Sequence, residues 1–338
     1  MTQRGSLTAV KSLLGLVLGA GISYCVYRMI FAKEKKKSPA GAQRESKRSL
    51  LDKVSGLSVL TQVKARATVE PDNIPISASD LEPHHIKKLL RLLVTNTDSA
   101  IREKVLITLC NSAAFTVNQD IIRNLDGIKV IGAAISDSNP QIKVKALNAL
   151  NNLSMNLANQ EQIKEYLGEI CTSVQSSPLN SEVQLAGLRL VINMSVTNNY
   201  HKQIADFISC FLSLLVDGNQ TTQVHTLKVL VNLSANPSMT KCLLTTKAPR
   251  HMTSLFDSCI NSDILVRALT FAVNLSENSG NELHCGGQFD YDEDSLFVLL
   301  FRDTDQLQKN LPALFQHPDM EVKAQVARLL IKPLDLKR

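Results

Sequence analysis

Five eleven-residue segments of this chain align without gaps and end on the same residue: Ile101–Asn111, Ile142–Asn152, Val183–Asn193, Thr222–Asn232 and Ile264–Asn274. Successive terminal asparagines lie 41, 41, 39 and 42 residues apart. A fixed period near 40 marks a helical solenoid, in which no unit buries its apolar face alone and each must stack on its neighbours. Composition agrees. Aromatic residues make up 4% of the chain and Trp is absent, so the core is aliphatic and suits close-packed helices better than a β-sandwich. The fold expected is all-α.

A sixth, degenerate copy closes the array. Pro140-x-x-x-Val144-Lys145-Ala146 recurs as Pro318-x-x-x-Val322-Lys323-Ala324, with Leu330 at the Asn position, as suits a terminal unit with no neighbour beyond it. The last interval, from Asn274 to Leu330, is longer than the others, which places an insertion at 279–294. That insertion holds His284-Cys285-Gly286-Gly287 and an acidic run, Asp290, Asp292, Glu293 and Asp294. It lacks the ligand order and turn glycine of a calcium loop, so a solvated loop is expected, with a partner-contact loop as the alternative.

Positions within each repeat sort by role. Counting from the Asn, the residues at −5, −2 and +1 are largely apolar: Leu147/Leu150/Leu153, Leu188/Val191/Met194, Leu227/Leu230/Leu233. These form a buried stripe. Positions −7, −4 and 0 share another face and are mostly polar: Lys104/Ile107/Asn111, Lys145/Asn148/Asn152, Ala186/Arg189/Asn193, His225/Lys228/Asn232 and Arg267/Thr270/Asn274. Amphipathic segments between them (162–174, 204–216, 239–244) are expected to supply outer layers.

The N-terminus reads differently. Ser12 to Tyr27 is uncharged, and Met29, Ile30 and Phe31 continue the run past Arg28. About 20 helical residues span a bilayer's hydrocarbon. A single membrane anchor is expected over 7–31, contacting lipid. Arg28 would snorkel at its edge, and Lys33, Lys35, Lys36 and Lys37 would hold the following chain in the cytosol by the positive-inside rule. A cleaved signal peptide is the competing reading, but the strong positive charge follows the apolar run instead of preceding it. Gly15 and Gly19 form a G-x-x-x-G, a close-approach face for a second such helix and hence a route to homo-oligomers. Residues 32–78, broken by Pro39, Pro71 and Pro75, read as a basic, mostly disordered linker. The ordered domain is expected over 79–338, opening on a capping box at Ser79-Asp80-Leu81-Glu82 with Pro83 in the first turn.

Charge follows the same division. Lys33 to Arg66 holds ten Lys/Arg against three acids, net +7, and Arg4, Lys11 and Arg28 add three more positive charges. The rest of the chain carries more acidic than basic side chains, net −4, so the overall +6 is no argument for nucleic-acid binding. The seven cysteines are odd in number and scattered with no C-x-x-C, which argues against structural zinc and for buried reduced thiols. No P-loop, G-x-G-x-x-G, G-x-S-x-G or H-E-x-x-H occurs; no enzymatic activity and no cofactor is expected.

Helices ending in Asn-Leu-Ser on a 41-residue period resemble armadillo repeats. The resemblance implies a right-handed superhelical solenoid of about six repeats, whose third helices line a groove where Asn side chains hold an extended peptide. Longer strings are similar to one branch, the X-linked armadillo repeat-containing proteins of the mitochondrial outer membrane and their autosomal relative. They are Gly19-Ala20-Gly21, Tyr24-Cys25-Val26-Tyr27-Arg28, Asp120 to Leu125, Val183 to Leu190, Asn193 to Asn198 and Asn236 to Thr240. The short basic stretch after the anchor, where the X-linked members are acidic, favours the autosomal relative. That resemblance implies a cytosol-facing adaptor of mitochondrial distribution, with motor adaptors and outer-membrane GTPases as partners. The endoplasmic reticulum is the alternative membrane, and sequestration of a growth or transcription regulator the alternative role. Where peptide-binding members often carry Trp at −4, this chain has Ile107, Asn148, Arg189, Lys228 and Thr270.

Two readings of the polar face stay open. Asn111, Asn148, Asn152, Asn193, Asn232 and Asn274, with Lys145, Arg189, Lys228 and Arg267, bind an extended, partly acidic segment. Alternatively the amides tie neighbouring helices together and the cations are solvated. Asn152, Asn193, Asn232 and Asn274 also sit in N-x-S sequons, and Asn219 in N-x-T, but placement on packed helices argues against glycosylation.

Overall fold

The computed structural model describes residues 81–283, 291–302 and 305–331, within a compact unit spanning Ser77–Arg338. The proposed anchor, with Gly15, Gly19, Arg28, Lys33, Lys35, Lys36 and Lys37, and the linker lie outside the described residues. Among the described residues no helix is long and apolar enough to cross a membrane.

The helices are α1 (Pro83–Thr95), α2 (Ser99–Ser112), α3 (Thr116–Asn124), α4 (Gly127–Gly132), α5 (Pro140–Leu153), α6 (Leu157–Ile163), α7 (Leu167–Ser176), α8 (Glu182–Met194), α9 (His201–Ala205), α10 (Ile208–Asp217), α11 (Gln220–Ser234), α12 (Thr240–Thr245), α13 (Ser262–Leu283), α14 (Asp305–Phe315) and α15 (Met320–Ile331). Three-helix units repeat: α3-α4-α5, α6-α7-α8 and α9-α10-α11. In the next unit a 3-10 turn, Arg250–Phe256, replaces the second helix between α12 and α13. All five aligned segments fall on the third helices α2, α5, α8, α11 and α13, and the degenerate copy falls on α15. Each third helix packs on the next, building one continuous core.

Local chemistry sets the starts of these helices. Asp98 caps α2 by accepting from the Ala100 amide at 2.8 Å, and Asn139 caps α5 from Gln141 at 2.9 Å with Pro140 behind it. Ser181 and Asn219 do the same for α8 and α11. Each satisfies an amide that the first turn leaves without an intrahelical partner. The apolar stripe behaves as its spacing requires: the nine −5, −2 and +1 side chains of α5, α8 and α11 are all at 0% exposure.

Three expectations are corrected. At the first helix the cap is Glu82, whose backbone N–H donates to His85 Nδ1 at 3.3 Å, so His85 takes the third-position role assigned to Glu82. The insertion is not simply solvated: 279–283 extend α13, and its far end is docked. There the Leu296 amide donates to the Thr246 carbonyl at 2.8 Å and the Ala248 amide to the Asp294 carbonyl at 2.9 Å, while Tyr291 stacks on Phe297 at 4.0 Å. Ser295 is buried, and the Asp294 carbonyl and Leu296 amide on either side of it find their partners in residues 246–248. Finally, the five described cysteines are free thiols, but only Cys110 and Cys171 are buried. Cys210 is half-buried, and Cys242 and Cys259 are exposed.

Gly187 in α8 lets α7 approach closely, since a Cβ there would lie 2.6 Å from Val174 Cγ2. Gly187→Ala should therefore destabilise the fold by about 1–3 kcal/mol in urea unfolding. Gly168→Ala on α7, where a Cβ would meet nothing within 4 Å, should be neutral or stabilising.

Candidate binding groove

The aligned asparagines interlock the third helices. Asn152 Nδ2 donates to the Cys110 carbonyl at 2.9 Å, across from α5 to α2. Asn193 donates to the Asn151 carbonyl at 3.2 Å and to Ser154 Oγ at 3.1 Å. Asn232 donates to the Ile192 carbonyl at 3.3 Å and Ser195 Oγ at 2.9 Å, and Asn274 to the Val231 carbonyl at 3.4 Å and Ser234 Oγ at 3.1 Å. In every case the acceptor sits in the last turn of the preceding third helix or just past it, and the Asn151, Ile192 and Val231 carbonyls also accept from the Ser154, Ser195 and Ser234 hydroxyls.

This geometry explains the recurrent Asn-x-Ser. In α8, α11 and α13 the Asn finds as acceptor the serine two residues after the Asn of the preceding repeat. At the first junction that position is Ala113, so Asn152 turns to the carbonyl and, at 3.5 Å, the Sγ of Cys110. Asn152 and Asn232 are buried at 8% and 6% exposure, and Asn232 Oδ1 has no partner in its buried position. Asn111, on the first third helix among the described residues, is exposed. Of the two readings, the inter-helix tie accounts for the donor half of these amides. The sequons are thus helix locks, and Asn219 is an N-cap whose Oδ1 accepts from Thr222 at 3.0 Å.

A second polar ladder was missed at the sequence level. Eight residues after the Asn stand Gln119, Gln160 and His201, and seven after it Asn118 and Asn159. Gln119 Nε2 donates to the carbonyls of Ala113 (2.8 Å) and Asn152 (3.1 Å), and Gln160 repeats this on Ser154 and Asn193. His201 Nε2 meets the Ser195 carbonyl at 2.8 Å while its Nδ1 faces Asn236 Nδ2 at 3.1 Å. Those partners fix a neutral imidazole, and burial pushes its pKa down. The signal was available, because Asn118-Gln119 and Asn159-Gln160 stand one repeat period apart.

Cations dominate the remaining positions of the polar face. Arg189 Nη2 donates to Asn148 Oδ1 at 3.0 Å, joining two helices at the −4 row. Lys145 reaches Glu103 at 3.8 Å, and Arg267 pairs with Asp263 at 2.9 Å within α13. At the centre His225 Nδ1 donates to the Thr221 carbonyl, 2.7 Å away. Burial lowers the pKa of His225, and the positive fields of Lys228, Arg189 and Arg267 lower it further. Lys228 is likewise lowered, first by burial and then by Arg267, with Asp263 opposing. Arg189 is lowered by burial and stays charged. Arg189, Lys228 and Arg267, on three successive third helices, thus place positive charge around a neutral His225, with Glu182 opposing at Arg189 and Asp263 at Lys228. Cys110, beside Asn152, is no nucleophile: burial drives its thiol up to about 11 despite Lys145 and Arg189. Among the described residues no cluster of His, Cys, Asp or Glu suited to a metal ion assembles.

The molecule is thus a helical-repeat solenoid whose third helices present one amide-and-cation face. A sequence profile described as Armadillo-like matches residues 81–301, and the chain belongs to that family. Similar solved structures include a designed armadillo repeat protein at TM-score 0.59 and 14% identity, covering 73% of this chain and 99% of that one. Another designed armadillo repeat protein, in complex with the peptide (KR)4, is similar at TM-score 0.60 and 13% identity, covering 73% and 98%. An engineered protein matches at TM-score 0.59 and 19% identity, covering 73% and 95%. At these identities the likeness is one of fold.

The helix lock has a measurable consequence. Asn232→Ala should lower unfolding free energy by about 1–2 kcal/mol in the absence of any partner. Unchanged stability would mean the amide serves only a ligand.

Proposed function

We propose that this protein is a non-enzymatic scaffold that binds an extended, acidic segment of a partner protein along its third helices. The observation that carries this reading is the cluster of Arg189, Lys228 and Arg267 around His225. Burial and the Arg267 charge disfavour the charged form of Lys228, and an acidic ligand offsets that by Coulomb attraction to it and to Arg189. The similar designed protein that holds (KR)4 takes a basic peptide; the sign of this face calls for the opposite. Recognition rests on side-chain charge, because the Asn donors are already engaged by the preceding helices.

The apolar 12–31 run and the lysines that follow support attachment to a membrane with the solenoid in the cytosol. The resemblance to the X-linked armadillo repeat-containing proteins, and above all to their autosomal relative, favours the mitochondrial outer membrane over the endoplasmic reticulum. In that setting the partners are adaptors and GTPases that couple mitochondria to motors, and the activity is control of mitochondrial distribution. Sequestration of a growth or transcription regulator uses the same groove. Proximity labelling separates the two roles: motor-adaptor neighbours vanish from a chain beginning at residue 80 in the first, whereas a regulator stays bound in the second.

Reversing Arg189, Lys228 and Arg267 to Glu should abolish capture of acidic partners while circular dichroism and melting stay close to the parent. Undiminished capture by a folded triple variant would sink the groove reading. Residues 1–40 fused to a fluorescent protein should mark mitochondria; diffuse or secreted fluorescence would refute the anchor.

A further inference from the structure

His225 is the single histidine among the −7, −4 and 0 positions of the aligned third helices. It stands one turn before Lys228 on α11 and in the same row as Arg267 of α13, and α8, which carries Arg189, also packs against α11. The bond from Nδ1 to the Thr221 carbonyl at 2.7 Å requires a proton on Nδ1. In the neutral ring Nε2 is then a bare lone pair, with no hydrogen-bond partner among the described residues. Every charged group that acts on this ring is positive: Lys228, Arg189 and Arg267. The nearby acids, Glu182 and Asp263, act on Arg189 and on Lys228 instead. The other elements against α11 are α10, whose Asp217 and Cys210 are not among the groups that shift His225, and the turn Pro237–Met239, which has no titratable side chain. Burial and the three cations push the pKa of His225 below its ordinary value against the raising effect of the Thr221 bond, so the free ring is neutral.

A carboxylate entering between these cations meets the Nε2 lone pair. Two electron pairs repel, whereas a protonated Nε2 turns the same contact into a charge-assisted hydrogen bond. The carboxylate also offsets the fields of Arg189, Lys228 and Arg267, which are the charges that disfavour an imidazolium. We infer that the groove is proton-linked: an acidic segment is captured together with one proton at His225 Nε2, so the partner is held more tightly as pH falls. This rests on the groove reading above and adds the regulation of that site. The proton comes from solvent, forms an N–H bond at Nε2 and returns to solvent when the segment leaves. The complex then binds more protons than its separate components, so affinity rises as pH falls through the range where the ring is neutral when free and charged when bound. Below the pKa of the free ring both states are charged and the gain levels off. Lys228 competes for such a proton, but on the alkaline side, where lysines titrate.

Calorimetry on the 338-residue chain tests this with a peptide of four consecutive Asp flanked by Gly and Ser. Runs in buffers of different ionisation enthalpy give affinity and proton uptake together. The Asp side chains stay ionised from about pH 6 to about pH 8, so the proton taken up is bound by the protein. Affinity should be about tenfold higher at the acid end of that range, with net proton uptake on binding. His225→Asn, whose amide can still donate to the Thr221 carbonyl, should flatten the profile and abolish the uptake. The parent chain gives a second readout: the His225 Cε1–H resonance should titrate at higher pH with peptide bound than without. Binding that is flat with pH, uptake that survives His225→Asn, or a resonance that titrates alike in both states overturns the proton link while the acidic groove stands. Failure of the peptide to bind at any pH in low salt overturns the groove reading and the proton link together.

Discussion

The amide of one third helix gripping the end of the previous one is the contact on which the solenoid depends. A helix leaves its last carbonyls without donors, and stacking such helices side by side would bury those groups at a cost of several kcal/mol per junction. Asn152, Asn193, Asn232 and Asn274 lower that cost by donating across four successive junctions, beside the Ser154, Ser195 and Ser234 hydroxyls, which donate to three of the same carbonyls and accept from the asparagines in turn. The Gln119, Gln160 and His201 ladder does the same from the far side of the turn, reaching carbonyls of two repeats at once in the case of Gln119 and Gln160. Leucine burial supplies the driving force, but it is non-directional. The amides fix which residue of one repeat meets which residue of the next.

That division of labour leaves the −7 and −4 positions free to vary, and there the chain has concentrated positive charge. A peptide-binding solenoid that used its asparagines for the ligand backbone would read register mainly through main-chain bonds. Here those donors are spent internally, so in the proposed function selectivity falls to Arg189, Lys228 and Arg267 around His225. Such a surface is sensitive to ionic strength and tolerant of ligand sequence, as electrostatic recognition generally is.

The ends of the array follow a different rule. At α15 the −5 and −2 positions hold Gln325 and Arg328, where interior repeats have Leu, Val or, at position 272, Ala. Arg328 makes a two-pronged pair with Glu277 of α13, at 3.0 Å to each carboxylate oxygen, and also meets Gln325 at 3.0 Å. This polar clasp ties the last described helix to α13. The docked residues 291–296 similarly cover Thr246 to Ala248 where the unit has only a 3-10 turn for a second helix.

The period, the buried stripe at −5, −2 and +1, the third-helix positions and the degenerate last copy were all determined by local sequence, because each is a matter of spacing on a 3.6-residue helix. So was the apolar, then basic, character of the N-terminus. What only tertiary structure decided is the use of each polar group. An Asn at a fixed position offers the same donor to a neighbour or to a ligand, and sequence cannot say which lies within hydrogen-bonding reach. The cluster at His225 likewise draws on third helices from three successive repeats, and the docking of 291–296 on 246–248 joins stretches of chain too distant for any local pattern. Those contacts depend on how successive repeats rotate and stack, which is settled by packing across the junctions.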